Sequence, residues 1–241
     1  MTPPASTHLP AYVASWSRDG RFLAVKRDRI KGGREADIEV WNLASPAGPK
    51  RILLLPAIDW GTVSFHPVLP RLMASLGRRV IGTFDLESGD QNGQFNVEQA
   101  PDPLVYSPDG ERFAAAFDSN SVSVYDSGSG ATLLSHHFAD SPLDVAWHPS
   151  GHWIAIGDES GAVHLLDSRS GETRILGHHK AEAASVAFSP DGDYLISGGW
   201  ERELICWDLR RMTRAFTIGW TVLPCNFPQT VSTALPLTTR K

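Results

Sequence analysis

The chain has 241 residues, of which 41% are hydrophobic, and its formal net charge is −5. This length and apolar content suffice for one globular domain with a continuous core. The acidic balance argues against general nucleic-acid binding, because contact with phosphates requires a basic surface. No apolar run approaches 18 residues, the first residues lack the order of a signal peptide, and two cysteines, Cys206 and Cys225, are too few for a disulfide framework. We therefore expect a cytoplasmic protein without a membrane partner.

A dipeptide of an aromatic or aliphatic residue followed by Asp or Asn recurs along the chain. Its copies lie 43, 41, 41 and 41 residues apart: Trp41-Asn42, Phe84-Asp85, Tyr125-Asp126, Leu166-Asp167 and Trp207-Asp208. A fixed period of this size predicts a repeat architecture, in which each unit buries its apolar face against its neighbours.

A tight-turn tetrapeptide has the same period. It begins 24 residues before the first dipeptide and 18 residues before each of the others: Ser17-Arg18-Asp19-Gly20, a variant opening with His66-Pro67, Ser107-Pro108-Asp109-Gly110, His148-Pro149-Ser150-Gly151 and Ser189-Pro190-Asp191-Gly192. Pro, Asp and Gly at these positions favour a chain reversal. Short β-branched and aromatic runs flank the turns and precede the dipeptides, with no helical period. The sequence predicts an all-β fold with four strands per repeat, which is one propeller blade.

The stretch from Gly177-His178 through Ser197-Gly198-Gly199 to Trp207-Asp208 resembles a WD repeat. The resemblance covers residues 11 to about 217, and it is strongest to the diverged bacterial WD repeats found downstream of serine/threonine protein kinase domains. It implies a β-propeller of four-stranded antiparallel blades that acts as a non-catalytic protein-protein interaction scaffold.

The repeat boundaries follow from the two markers. We expect a short extension over 1–10, repeats at about 11–43, 51–86, 94–126, 132–167 and 173–208, an outer strand over 213–218, and an irregular or disordered tail over 219–241. WD-repeat propellers typically have seven blades, so five repeats predict either a small closed ring or an incomplete part of a seven-bladed propeller. An open ring would expose the faces of its end blades and favour association through them.

The resemblance also implies a buried hydrogen-bond network in a blade, formed by His, Ser, Asp and Trp. The matching residues of the fifth repeat are His178, Ser197, Glu201 and Trp207, with Glu in place of Asp. The third and fourth repeats place Ala115 and Ile156 at the serine position, so we expect apolar packing to hold those blades.

The sequence lacks the short motifs of common catalytic sites. There is no nucleophile elbow, phosphate-binding loop, His-Glu-x-x-His or Cys-x-x-Cys motif, so we predict no catalytic residue, no cofactor and no metal. The alternative is a propeller enzyme or ligand-binding propeller that uses polar residues lining the channel. The pairs His136-His137 and His178-His179 could ligate a metal, but the network position of His137 and His178 favours a structural role. His66 and His148 are predicted turn residues.

The first repeat has a six-residue insertion between its second and third strands, rich in Lys and Arg around Gly32-Gly33. Loops at this position emerge on the top face of a propeller, so an acidic or phosphorylated protein or peptide could dock on Arg29, Lys31 and Arg34. The alternative is a merely solvated loop. Trp200 and His179 are expected on the same face, where Trp200 either contacts a partner or covers a blade edge.

Overall fold

The computed structural model of the chain describes residues 11–28, 35–58, 62–77 and 79–219. Within these ranges the regular elements are all β-strands, which confirms the predicted fold class. No helix of the described part is long and apolar enough to cross a membrane. The predicted extension over 1–10, the loop residues Arg29, Lys31 and Arg34, and the predicted tail beyond residue 219 lie outside the described residues.

The described strands form five antiparallel sheets of four strands, and the strands of each sheet are ordered in space as they are in the chain. The first sheet contains β1 (Ala11–Trp16), β2 (Phe22–Asp28), β3 (Glu35–Asn42) and β4 (Lys50–Ile58). The second contains β5 (Val63–Phe65), β6 (Arg71–Gly77), β7 (Val80–Asp85) and β8 (Gln91–Asn96). The third contains β9 (Leu104–Tyr106), β10 (Arg112–Phe117), β11 (Ser121–Asp126) and β12 (Thr132–His137). The fourth contains β13 (Pro142–Trp147), β14 (Trp153–Asp158), β15 (Ala162–Asp167) and β16 (Thr173–His178). The fifth contains β17 (Ala183–Phe188), β18 (Tyr194–Gly199), β19 (Glu203–Asp208) and β20 (Thr213–Gly219).

The turn tetrapeptides join the first and second strands of the sheets, as their residue types predict. In the third sheet, the Ser107 hydroxyl accepts a hydrogen bond from the Arg112 backbone N–H at 3.0 Å, and the Asp109 carboxylate accepts one from Glu111 at the same distance. Gly110 has φ of +77°, which a residue with a side chain rarely adopts. Local hydrogen bonds therefore set the strand ends.

Each internal sheet packs between two others. We call the side of a sheet that faces the preceding sheet its backward face, and the other side its forward face. The backward face of the fifth sheet, with Leu195, Ile205 and Trp207, packs on the forward face of the fourth, with Val163 and Leu165. Three further apolar clusters join the other consecutive sheets in the same way. Burial of apolar area between sheets is thus the main source of stability.

The first residue of the recurrent dipeptide has the same environment in four sheets. Phe84, Tyr125, Leu166 and Trp207 are all buried on backward faces. Trp41 is only half-buried, because no described sheet precedes the first one. The period of the sequence is therefore a period of packing.

Hydrogen bonds join consecutive sheets at the turn end. The His148 ring lies against Gly192 of the next sheet, with Nε2 at 3.1 Å from the Gly192 carbonyl oxygen. Arg112 donates to the Gly151 carbonyl oxygen at 2.8 Å and to the Ser168 hydroxyl at 3.0 Å. The histidines at this turn position, predicted to be turn residues, therefore also fix the next turn.

The innermost strands β1, β5, β9, β13 and β17 contact one another in chain order around a common axis. Contacts between sheets run from the first sheet to the fifth, and no extensive strand contact joins the fifth sheet to the first within the described ranges. The five blades therefore form an open arc, compatible with an incomplete propeller.

Candidate functional site

The antiparallel strand order places two kinds of connection at one end of the sheets, which we call the top face. These are the loops between second and third strands and the connections from one sheet to the next. In the fifth blade they bring Lys180, before β17, close to the turn formed by Trp200, Glu201 and Arg202.

A buried hydrogen-bond network supports this turn. The Ser197 hydroxyl lies 2.7 Å from His179 Nε2 and accepts a hydrogen bond from Trp207 Nε1 at 2.8 Å. His179 Nδ1 lies 2.7 Å from Glu201 Oε1, so in the neutral ring Nδ1 donates to the carboxylate and Nε2 accepts the Ser197 proton. The network links strand β18, strand β19 and the top-face turn.

The structure corrects the assignment of the histidine in this network. His178 is the last residue of β16 and its side chain is exposed. The following backbone N–H, of His179, bonds to the Gly161 carbonyl oxygen at 2.8 Å, and the chain turns so that His179 points inward and is fully buried. The prediction that His178 belongs to the network was therefore wrong. The prediction that His179 contacts a partner was also wrong, because its side chain is buried.

Glu201 occupies the position at which an aspartate was expected. Its Oε1 accepts hydrogen bonds from His179 and from the Lys180 backbone N–H, while its buried Oε2 has no partner within the described part of the molecule. Partial burial by itself would raise the pKa of the Glu201 carboxyl. Hydrogen bonds from the backbone and from His179 outweigh this effect and lower the pKa. The carboxylate is therefore charged and fixes the turn.

Trp200 projects from this fixed turn. Its side chain is 69% exposed, whereas its backbone N–H donates to the Glu182 carbonyl oxygen at 3.0 Å. Nearby, Lys180 Nζ forms an ion pair with Glu203 Oε1 at 2.8 Å. This exposure favours the partner-contact interpretation of Trp200 over the alternative that it covers a blade edge.

The third and fourth repeats do not contain the histidine–serine network. Ala115 and Ile156, at the serine position, are fully buried. The fourth sheet has a different polar pair, in which His164 Nε2 lies 2.7 Å from Asp158 Oδ2. Phe138, at the position equivalent to His179, packs edge-on against His164 with ring centroids 5.0 Å apart.

The side chains of the two histidine pairs lie in different environments. His137 and His178 are exposed, whereas His136 stacks edge-on against Phe138 and His179 belongs to the network. Among the described residues, no group of three or more His, Cys, Asp or Glu side chains could hold a metal ion.

Two carboxyl groups near the axis were missed by the sequence analysis. Burial raises the pKa of Asp144 to about 7, although its carboxylate accepts hydrogen bonds from Val145 and Val186 backbone N–H groups at 2.9 Å. Burial also raises the pKa of Asp102 to about 7, and the charge of Asp102 adds to the effect on Asp144. The available signal was an aspartate within the otherwise apolar inner strand Pro142–Trp147.

The comparison with family models agrees with this geometry. Residues 129–167 and 171–208 match the WD40 model, described as WD domain, G-beta repeat. Each segment begins just before the outer strand of one sheet and ends with the third strand of the next sheet. The match covers about a third of the chain and supports a WD-repeat family. No curated protein matches the chain.

Proposed function

We propose that this chain is a non-catalytic scaffold that binds partner proteins or peptides on its top face, with Trp200 as the central contact. WD repeats in general mediate protein-protein interaction. The observation that carries the proposal is the 69% exposed indole of Trp200 on a turn held by the buried network. Exposed tryptophans are enriched among the residues that dominate interface energetics.

The rigidity of the turn supports this role. The Trp200 backbone N–H donates to the Glu182 carbonyl oxygen at 3.0 Å, and the Glu201 side chain accepts a hydrogen bond from the Lys180 backbone N–H at 3.2 Å. A contact residue on a fixed turn loses little conformational freedom on binding, so more of its interaction energy appears as affinity.

The basic insertion supports a finer proposal about the partner. Arg29, Lys31 and Arg34 lie in the sequence between β2 and β3, and loops at this position are expected on the top face. Guanidinium and ammonium groups recognise carboxylates and phosphates, so we propose an acidic or phosphorylated partner segment. The Ser-Pro-Asp-Gly turns support a relationship to kinase-associated bacterial repeats, which would be consistent with a phosphorylated partner.

Quantitative capture of partners tests the proposal. The Trp200→Ala variant is expected to weaken capture by about 2 kcal/mol, or roughly 30-fold in affinity. Val68→Ala is the matched control, because Val68 is a 72% exposed apolar residue at the opposite end of the sheets. The Lys31→Ala/Arg34→Ala variant is expected to weaken only acidic or phosphorylated partners. Equal capture by parent and Trp200→Ala chains would refute the role of Trp200.

A second candidate function rests on the carboxyl groups of Asp102 and Asp144 near the axis. The charge of Asp102 acts on Asp144, and two interacting acidic groups favour a small cationic ligand, which would compete with Lys26 for Asp102. A thermal-shift screen with small organic cations at pH 8 tests this function, with Asp144→Asn as the control. Stabilisation of the parent but not of the variant would support it, and no stabilisation by any cation would count against it.

A further inference from the structure

Within the described part of the chain, the first and the fifth sheet each have one face on which no other sheet packs. In the fourth sheet, Ala155 on the forward face of β14 is fully buried by the fifth sheet. One period later, on the forward face of β18, Ile196 is 46% exposed and Tyr194 is 43% exposed. The same strand position is therefore buried in an internal sheet and open at the end of the arc.

One row of the forward face of the fifth sheet is apolar across all four strands, whereas the next row toward the turns carries Asp208 paired with Arg211. Strand pairing places Ala187, Ile196, Cys206 and Phe216 side by side in one row across the four strands. The adjacent row contains Leu204 and Ile218 at its outer end, paired with each other. The rows of Ile196 and Leu204 carry no charged side chain. Cys206 is already buried, whereas Ile196, Phe216 and Ile218 are half exposed, and no other described sheet packs on them.

The backward face of the first sheet is the other face on which no described sheet packs. Trp16 is 42% exposed and Leu54 is 51% exposed there, beside the half-buried Trp41. The Trp41 indole donates to Glu39 at 3.1 Å, and Glu39 pairs with Arg51 at 3.3 Å. The face therefore resembles the tryptophan-bearing backward face of the fifth sheet, and the Glu39 charge on it is paired with Arg51.

These two faces are of the kinds that already pack together within the chain. Forward face on backward face is the contact made four times between consecutive sheets. We propose that two copies of this chain associate through the same contact, with the forward face of one copy's fifth sheet on the backward face of the other copy's first sheet. This surface differs from the top face of the proposed function.

Two substitutions to lysine test the contact from both sides. Ile196→Lys places a charge in the forward face, and Leu54→Lys places one in the backward face. Each alone is expected to weaken association at least about tenfold, because an unpaired charge would be buried. Ile175→Lys is the matched control, since Ile175 is a 56% exposed isoleucine on the outer strand of the fourth sheet. Sedimentation velocity of the full chain over a range of concentrations gives the mass, and circular dichroism verifies folding.

Mixing the two variants tests the direction of the contact. A forward-to-backward contact requires one intact forward face and one intact backward face. The mixture of Ile196→Lys and Leu54→Lys chains retains this pair, so it is expected to recover association that neither variant shows alone. A parent chain that stays monomeric at every concentration would overturn the proposal. Association of Leu54→Lys alone at parental strength, or loss of association in Ile175→Lys, would also overturn it.

Discussion

Replacing Ser197 by alanine tests how much the buried network stabilises the fifth blade. The substitution removes the hydroxyl that contacts both His179 Nε2 and Trp207 Nε1, at 2.7 and 2.8 Å. Trp207 is 2% exposed and the His179 side chain is fully buried, so water cannot replace the lost partner. An unsatisfied buried polar group costs about 1–3 kcal/mol. Two such groups predict a loss of about 2–6 kcal/mol in the free energy of unfolding.

Urea unfolding followed by tryptophan fluorescence measures this loss, with an unchanged m-value as the sign that the unfolded surface is the same. Ser160→Ala is the control, because Ser160 is exposed and donates one hydrogen bond, to Asp158 at 2.7 Å. We expect it to cost less than about 1 kcal/mol. In a double-mutant cycle, His179→Ala and Ser197→Ala should be non-additive by about 1 kcal/mol or more. Full additivity, or a Ser197→Ala cost equal to that of the control, would refute the reasoning.

Three further predictions concern single positions. Burial, with a smaller contribution from Arg71, lowers the pKa of His66 below 6.5, so stability is lost as pH falls from 6.5 through the lowered pKa. His66→Ser should flatten the fall in Tm between pH 7.5 and 5, and an unchanged slope would contradict this. Burial raises the pKa of Asp144 from 3.8 to about 7, so the stability from its protonated form is complete below pH 3.8 and is lost as pH rises through 7. Asp144→Asn should therefore raise Tm relative to the parent more at pH 8 than at pH 5, and equal differences would argue against the raised pKa. A Cβ on Gly177 would lie 2.6 Å from Trp207, so Gly177→Ala should cost about 1–3 kcal/mol in urea unfolding, and a neutral effect would show that the indole can move freely.

The fold could be predicted from the sequence because its signals are local. Turns such as Ser107-Pro108-Asp109-Gly110 close through hydrogen bonds within a few residues, and the strands between them are short and apolar. The outer strand expected over 213–218 is observed as Thr213–Gly219. Local chemistry does not specify whether the last sheet contacts the first. The sequence therefore could not decide between a closed ring and an incomplete propeller.

The candidate site was less predictable because its contacts are not local. His178 and His179 are adjacent and chemically identical, and only the end of β16 decides which one points inward. Asp102 and Asp144 do not share a position in the repeat, so the period gave no sign that they interact. Pairings of this kind depend on the arrangement of neighbouring sheets rather than on spacing along one strand.

In the third repeat, both the serine and the histidine of the network are replaced by apolar residues. This supports the view that removing one partner alone is costly. Ala115 is the counterpart of Ser197, and Val97 is the counterpart of His179. Both residues of the third repeat are buried among apolar side chains. Replacing both partners of a hydrogen bond by apolar groups can be nearly neutral, whereas removing one leaves the other unsatisfied. The third blade therefore requires no compensating hydrogen bond, and the fifth blade tolerates the loss of Ser197 only if His179 and Trp207 change with it.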